Sequence, residues 1–263
     1  MGEGDFSLKA GTVWLLGVSS FLAAALPAFA SGIADAHYEV PVERYGHFAA
    51  GRPHEYAWLS ATTDSGRRLT LELAADEVFE DVAPRRVQLE KSGPHRLLAI
   101  VSRRGDGARL ALIGAQNDRL KIVAESSPIG TPMRWLNPVA VADLDGDGQA
   151  EIAAVTTPHI GGTLRVYRLA EASLVESAAL DGFSNHLYGS AELGLSAAIS
   201  IDGRAHLVVP DSNRQHLRII ALRQGRLVET GRCKLSEPLT GSVVQLLPLA
   251  ASASRRSESN ASC

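Results

Sequence analysis

The chain has 263 residues, of which 45% are hydrophobic and 21% charged, a composition typical of a globular protein with one sizeable core or two small ones. Its formal net charge of -3 offers no basic field for nucleic acid or an anionic membrane. Aromatic residues make up only 5%, which argues against the stacking platforms that bind single-stranded nucleic acid.

Residues 1–30 are predicted to be a cleaved signal peptide. An uncharged apolar run occupies residues 11–27, and Ala28-Phe29-Ala30 follows it with the small-x-small pattern of signal-peptidase sites. Because about 20 apolar residues can also span a bilayer, an uncleaved anchor is the alternative. Cleavage would leave a chain that begins near Ser31, has no stable membrane span and is periplasmic or secreted.

A repeat of about 54 residues runs through most of the remaining chain. The sequence LRVY at 164–167 aligns with LRII at 217–220, and Asp147-Gly148 aligns with Asp202-Gly203. The three complete units cover residues 82–125, 137–180 and 190–232.

Each unit has the pattern of four short strands. In the central unit we expect strands at Pro138–Ala142, Glu151–Thr156, Thr163–Leu169 and Ser173–Ala179. They are rich in Val, Leu, Ile and Ala, and turn-forming residues separate them. Four antiparallel strands in a repeat of this length are typical of a propeller blade, which cannot bury both of its faces alone.

The sequence therefore predicts an all-β fold, a small four-bladed β-propeller over residues 31–248. Strand-like runs in 42–75 and a first-strand-like segment at 242–248 are expected to form a composite fourth blade from both ends of the chain. Such a blade would close the ring and leave no open sheet edge. A five-bladed ring and an open array are the alternatives.

The Ser-rich residues 249–263 are expected to be a disordered tail. The two cysteines, Cys233 and Cys263, can pair in an oxidising compartment or can both remain thiols. Their number and spacing exclude a cysteine-based zinc site.

The acidic loop after the first strand of the central unit is a predicted cation site. Carboxylates at alternate positions repel one another unless a hard cation compensates them, and calcium takes six to eight oxygen ligands. Glycines at 146 and 148 allow the tight curl that turns these side chains inward. An EF-hand is excluded, because its twelfth position would be Ala154. The expected ligands are the carboxylates of Asp143, Asp145, Asp147 and Glu151 and the carbonyl of Gln149.

Residues 141–154, VADLDGDGQAEIAA, resemble the calcium loop of FG-GAP/VCBS repeats, which occur in integrin alpha-chain propellers and in many exported bacterial proteins. The resemblance implies propeller blades and a calcium ion held between adjacent strands of one blade. Glu151 departs from the pattern, since the family loop most often ends in Asp. One calcium site is expected, because Arg96 would oppose a cation in the first unit and the third unit has lost its ligands. The corresponding positions of the third unit are Ala198, Ser200, Asp202 and His206.

Two loops beside the central unit carry histidines and could form a ligand-binding rim. In the alternative interpretation these side chains satisfy backbone groups in tight turns. Tyr45-Gly46-His47 is a further candidate rim element, and no serine or cysteine nucleophile motif accompanies the histidines. The candidate rim residues are Arg134, Trp135, His159, Asn185 and His186.

Together these features predict an exported calcium-binding repeat protein that is not an enzyme and acts as a binding or scaffold module, with a structural calcium ion. Its partner would be an exported protein or a surface ligand of unknown identity, and not nucleic acid. The alternative is a hydrolase or lyase with a pocket at the propeller rim, since fold alone does not decide function. Convergence of Arg134, His159 and His186 on one cavity would favour the enzyme, whereas a large exposed apolar patch would favour a protein partner.

Overall fold

A computed structural model of the protein describes residues 1–2, 31–256 and 261–262. The predicted signal peptide lies outside the described residues except for Met1 and Gly2. Within the described part of the chain, no helix is long and apolar enough to cross a membrane.

The described residues form an almost entirely β structure, which confirms the predicted all-β class. The strands are β1 Ile33–Pro41, β2 Tyr56–Thr63, β3 Arg68–Glu72, β4 Glu77–Phe79, β5 Arg85–Val87, β6 Arg96–Arg103, β7 Gly107–Gln116, β8 Arg119–Ser126, β9 Leu136–Ala142, β10 Glu151–Thr156, β11 Gly162–Ala170, β12 Ser173–Phe183, β13 Ala197–Ile201, β14 Arg204–Pro210, β15 His216–Arg223, β16 Arg226–Lys234 and β17 Ala261–Ser262. A 3-10 turn at Val244–Leu246 leads into the helix α1, Leu247–Arg256.

Twelve strands form three consecutive antiparallel meanders, one in each segment where the sequence predicts a unit. They are β5 to β8, β9 to β12 and β13 to β16, and within each the strands pair in chain order. In the central meander β10 has the predicted bounds, while β9, β11 and β12 extend one to four residues beyond theirs. The apolar runs and the turn residues that separate them thus predicted the positions of these strands.

The predicted closed propeller is wrong. The strands form one mixed 12-stranded sheet and a separate five-stranded sheet, and the first two meanders join through a short parallel pairing of β8 with β12. The composite blade does not form, because residues 242–248 make the 3-10 turn and the start of α1. Pro248 has no backbone N–H to offer a sheet, yet it fits the first turn of a helix. The strands of 42–75 are β2 and β3; β2 pairs with β1 and with β3 instead.

Apolar side chains on both faces of the meanders hold the layers together. Along β10, Ile152 and Ala154 pack towards the first meander, whereas Ala153 and Val155 pack towards the third. Successive strand residues point to opposite faces, so one strand contributes to two cores. A third core joins the first meander to β1, β2 and β3. The layers therefore pack face to face.

Helix α1 covers the outer face of the third meander. Ala250 and Ala253, one helical turn apart, are buried against Leu217 and Ile219. The prediction of a disordered tail is therefore wrong for residues 249–256. The buried face of this helix consists largely of alanines, whose small side chains give only a weak hydrophobic periodicity in the sequence. Residues 257–260 and Cys263 lie outside the described part, and both alternatives for Cys233 and Cys263 stand as the sequence gives them.

Gly231 of β16 lets α1 approach the sheet closely. A Cβ atom at this position would lie 2.7 Å from the Cα atom of Ser254, closer than such atoms pack. We expect Gly231→Ala to lower the free energy of unfolding by about 1–3 kcal/mol, as overpacking does. Chemical denaturation measures this loss. Gly105→Ala, whose new Cβ would meet no atom within 4 Å, is the matched control, and equal losses in both variants would contradict the close approach.

Candidate metal loop and rim pocket

The acidic loop, residues 143–150, connects β9 to β10 and lies between neighbouring layers. Leu144 is buried in the core shared with the third meander. The backbone N–H of Ala150 donates to the carbonyl oxygen of Leu89 at 2.8 Å, which ties the loop to the first meander. The loop therefore contacts the layers on both sides.

Asp143 organises the turn by accepting hydrogen bonds from the backbone. Its Oδ1 accepts from Gly146 N–H at 2.7 Å, and its Oδ2 accepts from Gly148 N–H at 3.0 Å. Both glycines have left-handed φ angles, 87° and 90°, which residues with a Cβ rarely adopt. The predicted reason for these glycines, a tight curl of the chain, agrees with this backbone.

Three of the predicted ligands converge. One carboxylate oxygen from each of Asp143, Asp145 and Glu151 lies within 4.8 Å of the other two. Glu151 is buried and accepts from Leu144 N–H at 2.8 Å. Burial raises the pKa of Glu151, and the charges of Asp147 and Asp143 raise it further. Such an acidic cluster suits a hard divalent cation.

Of the four predicted carboxylate ligands, only Asp147 lies outside this triad of side-chain oxygens. Asp147 is exposed and its Oδ1 accepts from Gln149 N–H at 2.8 Å, while Gln149 forms an isolated bridge with Glu90 of the first meander. Asp145 Oδ1 accepts from Asp147 N–H at 3.1 Å. The loop thus satisfies several of its own backbone donors, and a cation would bind carboxylate oxygens that also accept these hydrogen bonds.

Arg168 of β11 already offers a positive charge to the cluster. Its Nη2 contacts Asp145 Oδ2 and lies 3.1 Å from Glu151 Oε1. Arg168 is not among the residues expected from the sequence, although the hairpin register points to it: Ile152 pairs with Tyr167, which places Arg168 beside Glu151. A cation and this guanidinium would compete for the same carboxylates.

Three of the predicted rim residues come together in one cluster of rings. The indole ring of Trp135 lies parallel to the imidazole of His159 with ring centres 6.0 Å apart, and its centre is 4.6 Å from that of His186. Trp135 is buried, and its Nε1–H donates to the carbonyl oxygen of Glu80 at 2.8 Å.

A hydrogen-bond chain fixes the tautomers of the two histidines. His186 Nε2 lies 2.8 Å from the carbonyl oxygen of Ser190, which only accepts, so His186 Nε2 carries the proton. His186 Nδ1 then accepts from His159 Nε2–H at 2.8 Å. The remaining nitrogen of the neutral pair, His159 Nδ1, is left as an acceptor. Burial lowers the pKa of His159 to about 4, with smaller contributions from His186 and His47. Burial likewise lowers the pKa of His186.

Arg134 and Asn185 have different surroundings. Arg134 is half-buried and borders a pocket of about 180 Å³ together with Trp135 and His159. Asn185 is fully buried, and its Nδ2 donates to the carbonyl oxygen of Asn137 and to Ser196 Oγ. Asn185 therefore stabilises the backbone around the pocket, which agrees with the alternative interpretation that these side chains satisfy backbone groups in turns. His186 does not line the pocket and instead hydrogen-bonds His159, which does.

A loop between β1 and β2 completes the pocket and carries His47. Its backbone is anchored by the buried carboxylate of Glu55, which accepts from the N–H groups of residues 46–48. His47 Nδ1 lies 2.7 Å from the buried Glu80 Oε1, and Tyr188 O–H donates to the His47 carbonyl oxygen at 2.6 Å. Sequence reasoning named Tyr45-Gly46-His47 but missed Glu80 and Tyr188, because contacts between distant loops leave no local pattern.

This arrangement can bind a small ligand more readily than it can perform acyl transfer. Among the described residues, neither His159 nor His186 hydrogen-bonds a serine, threonine or cysteine side chain. Nucleophilic catalysis by such a pair would need that group within hydrogen-bond reach. Met133, Ile160 and Tyr188, which are exposed, give the pocket an apolar margin.

The low pKa of His159 makes folding stability depend on pH. An unfolded chain binds a proton at this imidazole near pH 6.5, whereas the folded chain does so only near pH 4, so this contribution to stability is lost as the pH falls from 6.5 to about 4. We expect the loss to be roughly 2 kcal/mol, allowing for partial exposure of the ring. His159→Gln, which can still donate to His186 Nδ1, should remove it.

Urea denaturation at a series of pH values between 4 and 7 measures this contribution as the difference between the unchanged chain and His159→Gln. His95→Gln, which removes an imidazole outside the pocket, is the control and should keep the pH-dependent contribution of His159. A His159→Gln curve parallel to that of the unchanged chain would contradict the assignment.

The chain matches no model of a known protein family, and no curated protein matches it.

Proposed function

We propose that the chain is an exported binding or scaffold protein in which the 143–151 loop holds one structural calcium ion. The observation that carries this proposal is the convergence of Asp143, Asp145 and Glu151, whose oxygens lie within 4.8 Å of one another. The calcium ion would supply charge compensation and coordination. Asp147 and Gln149 would complete the ligand set if the loop tightened around the ion.

A cation at this position would stabilise the fold by connecting layers. The loop begins beside Leu144, which packs on the third meander, and ends at Ala150, which hydrogen-bonds the first. Fixing the loop would therefore fix both contacts. An ion that binds only the folded chain shifts the folding equilibrium by mass action.

The proposed relation to FG-GAP/VCBS repeats is supported by features that recur between the meanders. The third strand of each meander has a bulge, after Leu112, Val166 and Ile219. A cross-strand ion pair also recurs, between Arg165 and Glu176 and between Arg218 and Glu229. We infer that the meanders derive from one repeat unit and pack as an open array. The match to the family loop itself remains the sequence resemblance over residues 141–154.

A binding role is favoured over a hydrolase or lyase because the described rim offers a pocket without a positioned nucleophile. The neutral His159–His186 pair, the half-buried Arg134 that lines the pocket and the apolar margin suit recognition of a surface ligand or of another exported protein. Export itself rests on the apolar run at 11–27 and the Ala28-Phe29-Ala30 pattern.

Thermal unfolding of the full chain with excess chelator and then with calcium tests the proposed site. Calcium at about a hundredfold excess over its dissociation constant should add roughly 2.7 kcal/mol to stability, and Asp145→Asn should lose this response. Asp202→Asn, in the corresponding turn of the third meander, is the control and should keep it. A calcium response that is absent, or identical in Asp145→Asn and the unchanged chain, would overturn the proposal.

The variant Arg168→Gln tests whether calcium competes with the Arg168 guanidinium for the carboxylates of Asp145 and Glu151. Without calcium this variant should be less stable, because Asp145 and Glu151 lose their guanidinium partner. Its calcium affinity should rise severalfold, since the ion no longer displaces a bound cation. Arg165→Gln, on the same strand but paired with Glu176, should leave the affinity unchanged. Calorimetric titration with calcium measures both affinities, and a weaker affinity in Arg168→Gln would contradict competition.

A further inference from the structure

A cleft of about 860 Å³ lies between the third meander and α1, far from the rim pocket in sequence and lined by different residues. It is bordered by the β13–β14 turn, the β15–β16 turn, the middle of β16 and the end of α1. Its charged lining consists of four arginines and two carboxylates: Arg204, Arg223, Arg232, Arg255, Asp202 and Glu229.

The carboxylates of the cleft already have cationic partners. Glu229 accepts from Arg218 Nε at 2.7 Å and from Arg232 Nε at 2.7 Å. Asp202 is largely exposed, with Arg255 Nε 3.6 Å away. These contacts leave the positive charge of the cleft in excess.

Two guanidinium groups carry that excess. Arg204 and Arg223 are exposed, and their side chains make no hydrogen bond or ion pair with the described residues. A guanidinium presents paired N–H donors in a planar fork that matches the oxygens of a phosphate group. Two such charges correspond to the charge of a phosphate dianion.

His206 adds a polar group that is more than nine-tenths buried. It is 6% exposed and borders the cleft. Its Nδ1 lies 3.1 Å from the carbonyl oxygen of Arg204, which only accepts, so Nδ1 carries a proton. Its Nε2 makes no hydrogen bond to a described residue. In the neutral ring Nε2 can accept the hydrogen of a monohydrogen phosphate, and in the protonated ring it can donate to a phosphate oxygen.

The same turn has opposite charge in the two later meanders. When Asp147-Gly148 is aligned with Asp202-Gly203, Gln149 corresponds to Arg204 and the buried Glu151 corresponds to the buried His206. The carboxylate cluster of the central meander is thus replaced by cationic and imidazole groups. From this charge, the two exposed guanidinium groups and the buried His206, we propose that the cleft binds a phosphate group, either free or as a phosphate monoester.

Calorimetric titration of the full chain tests this proposal, in calcium-free buffer of constant ionic strength. The probes are inorganic phosphate and glycerol phosphate. We expect saturable binding that weakens at least tenfold in Arg204→Gln/Arg223→Gln. The control Arg119→Gln/Lys121→Gln removes two exposed cations that lie outside the cleft and have no described partner, and it should bind as the unchanged chain does.

Each outcome decides a specific point. Tighter binding of glycerol phosphate assigns the cleft to a phosphorylated organic molecule, and equal or tighter binding of inorganic phosphate assigns it to the free ion. Absence of saturable binding by both probes overturns the proposal, as does equal weakening in the control. Unfolding temperatures of both double variants should equal that of the unchanged chain, because none of the four side chains has a partner to lose among the described residues. The test does not involve the calcium loop, so its failure would leave the proposed function untouched.

Discussion

The need to cover both faces of every meander governs this structure. On β6, Leu98 and Ile100 belong to one core, whereas Leu97 and Ala99 belong to the next. A sheet with apolar side chains on both faces is unstable unless a layer lies on each side, since each buried large side chain contributes about 1.5–3 kcal/mol relative to exposure. Face-to-face packing of successive meanders satisfies this requirement without closing a ring.

The outer faces of the first and third meanders are covered by elements that are not meanders themselves. In the described part of the chain the outer face of the third meander is covered by α1, through Ala250 and Ala253, and not by another meander. At the other end β1, β2 and β3 cover the first meander. Repeat proteins need such atypical terminal elements, because an uncovered last repeat would expose its apolar face. The phosphate-binding cleft that we propose lies where this covering helix meets the last meander.

The sequence predicted the features that depend on local pattern and missed those that depend on distant contacts. Strand β10 followed from an apolar run bounded by turn residues, and the tight curl at Gly146 and Gly148 followed from their lack of a Cβ atom. Ring closure was wrong because residues 242–248 have strand-like composition but Pro248 sits within the first turn of a helix. Arg168 could have been found from the hairpin register, whereas the buried Glu55 and Glu80 that anchor the His47 loop could not.

The proposed calcium site lies in the middle of this stack, where one loop touches two neighbouring layers and Arg168 already partly compensates its charge. A crystal structure of the chain grown with saturating calcium would test it most directly. We predict one ion bound by Asp143, Asp145 and Glu151, with the Arg168 guanidinium withdrawn from Asp145. A loop that holds no ion, with Arg168 still contacting Asp145 and Glu151, would contradict the account.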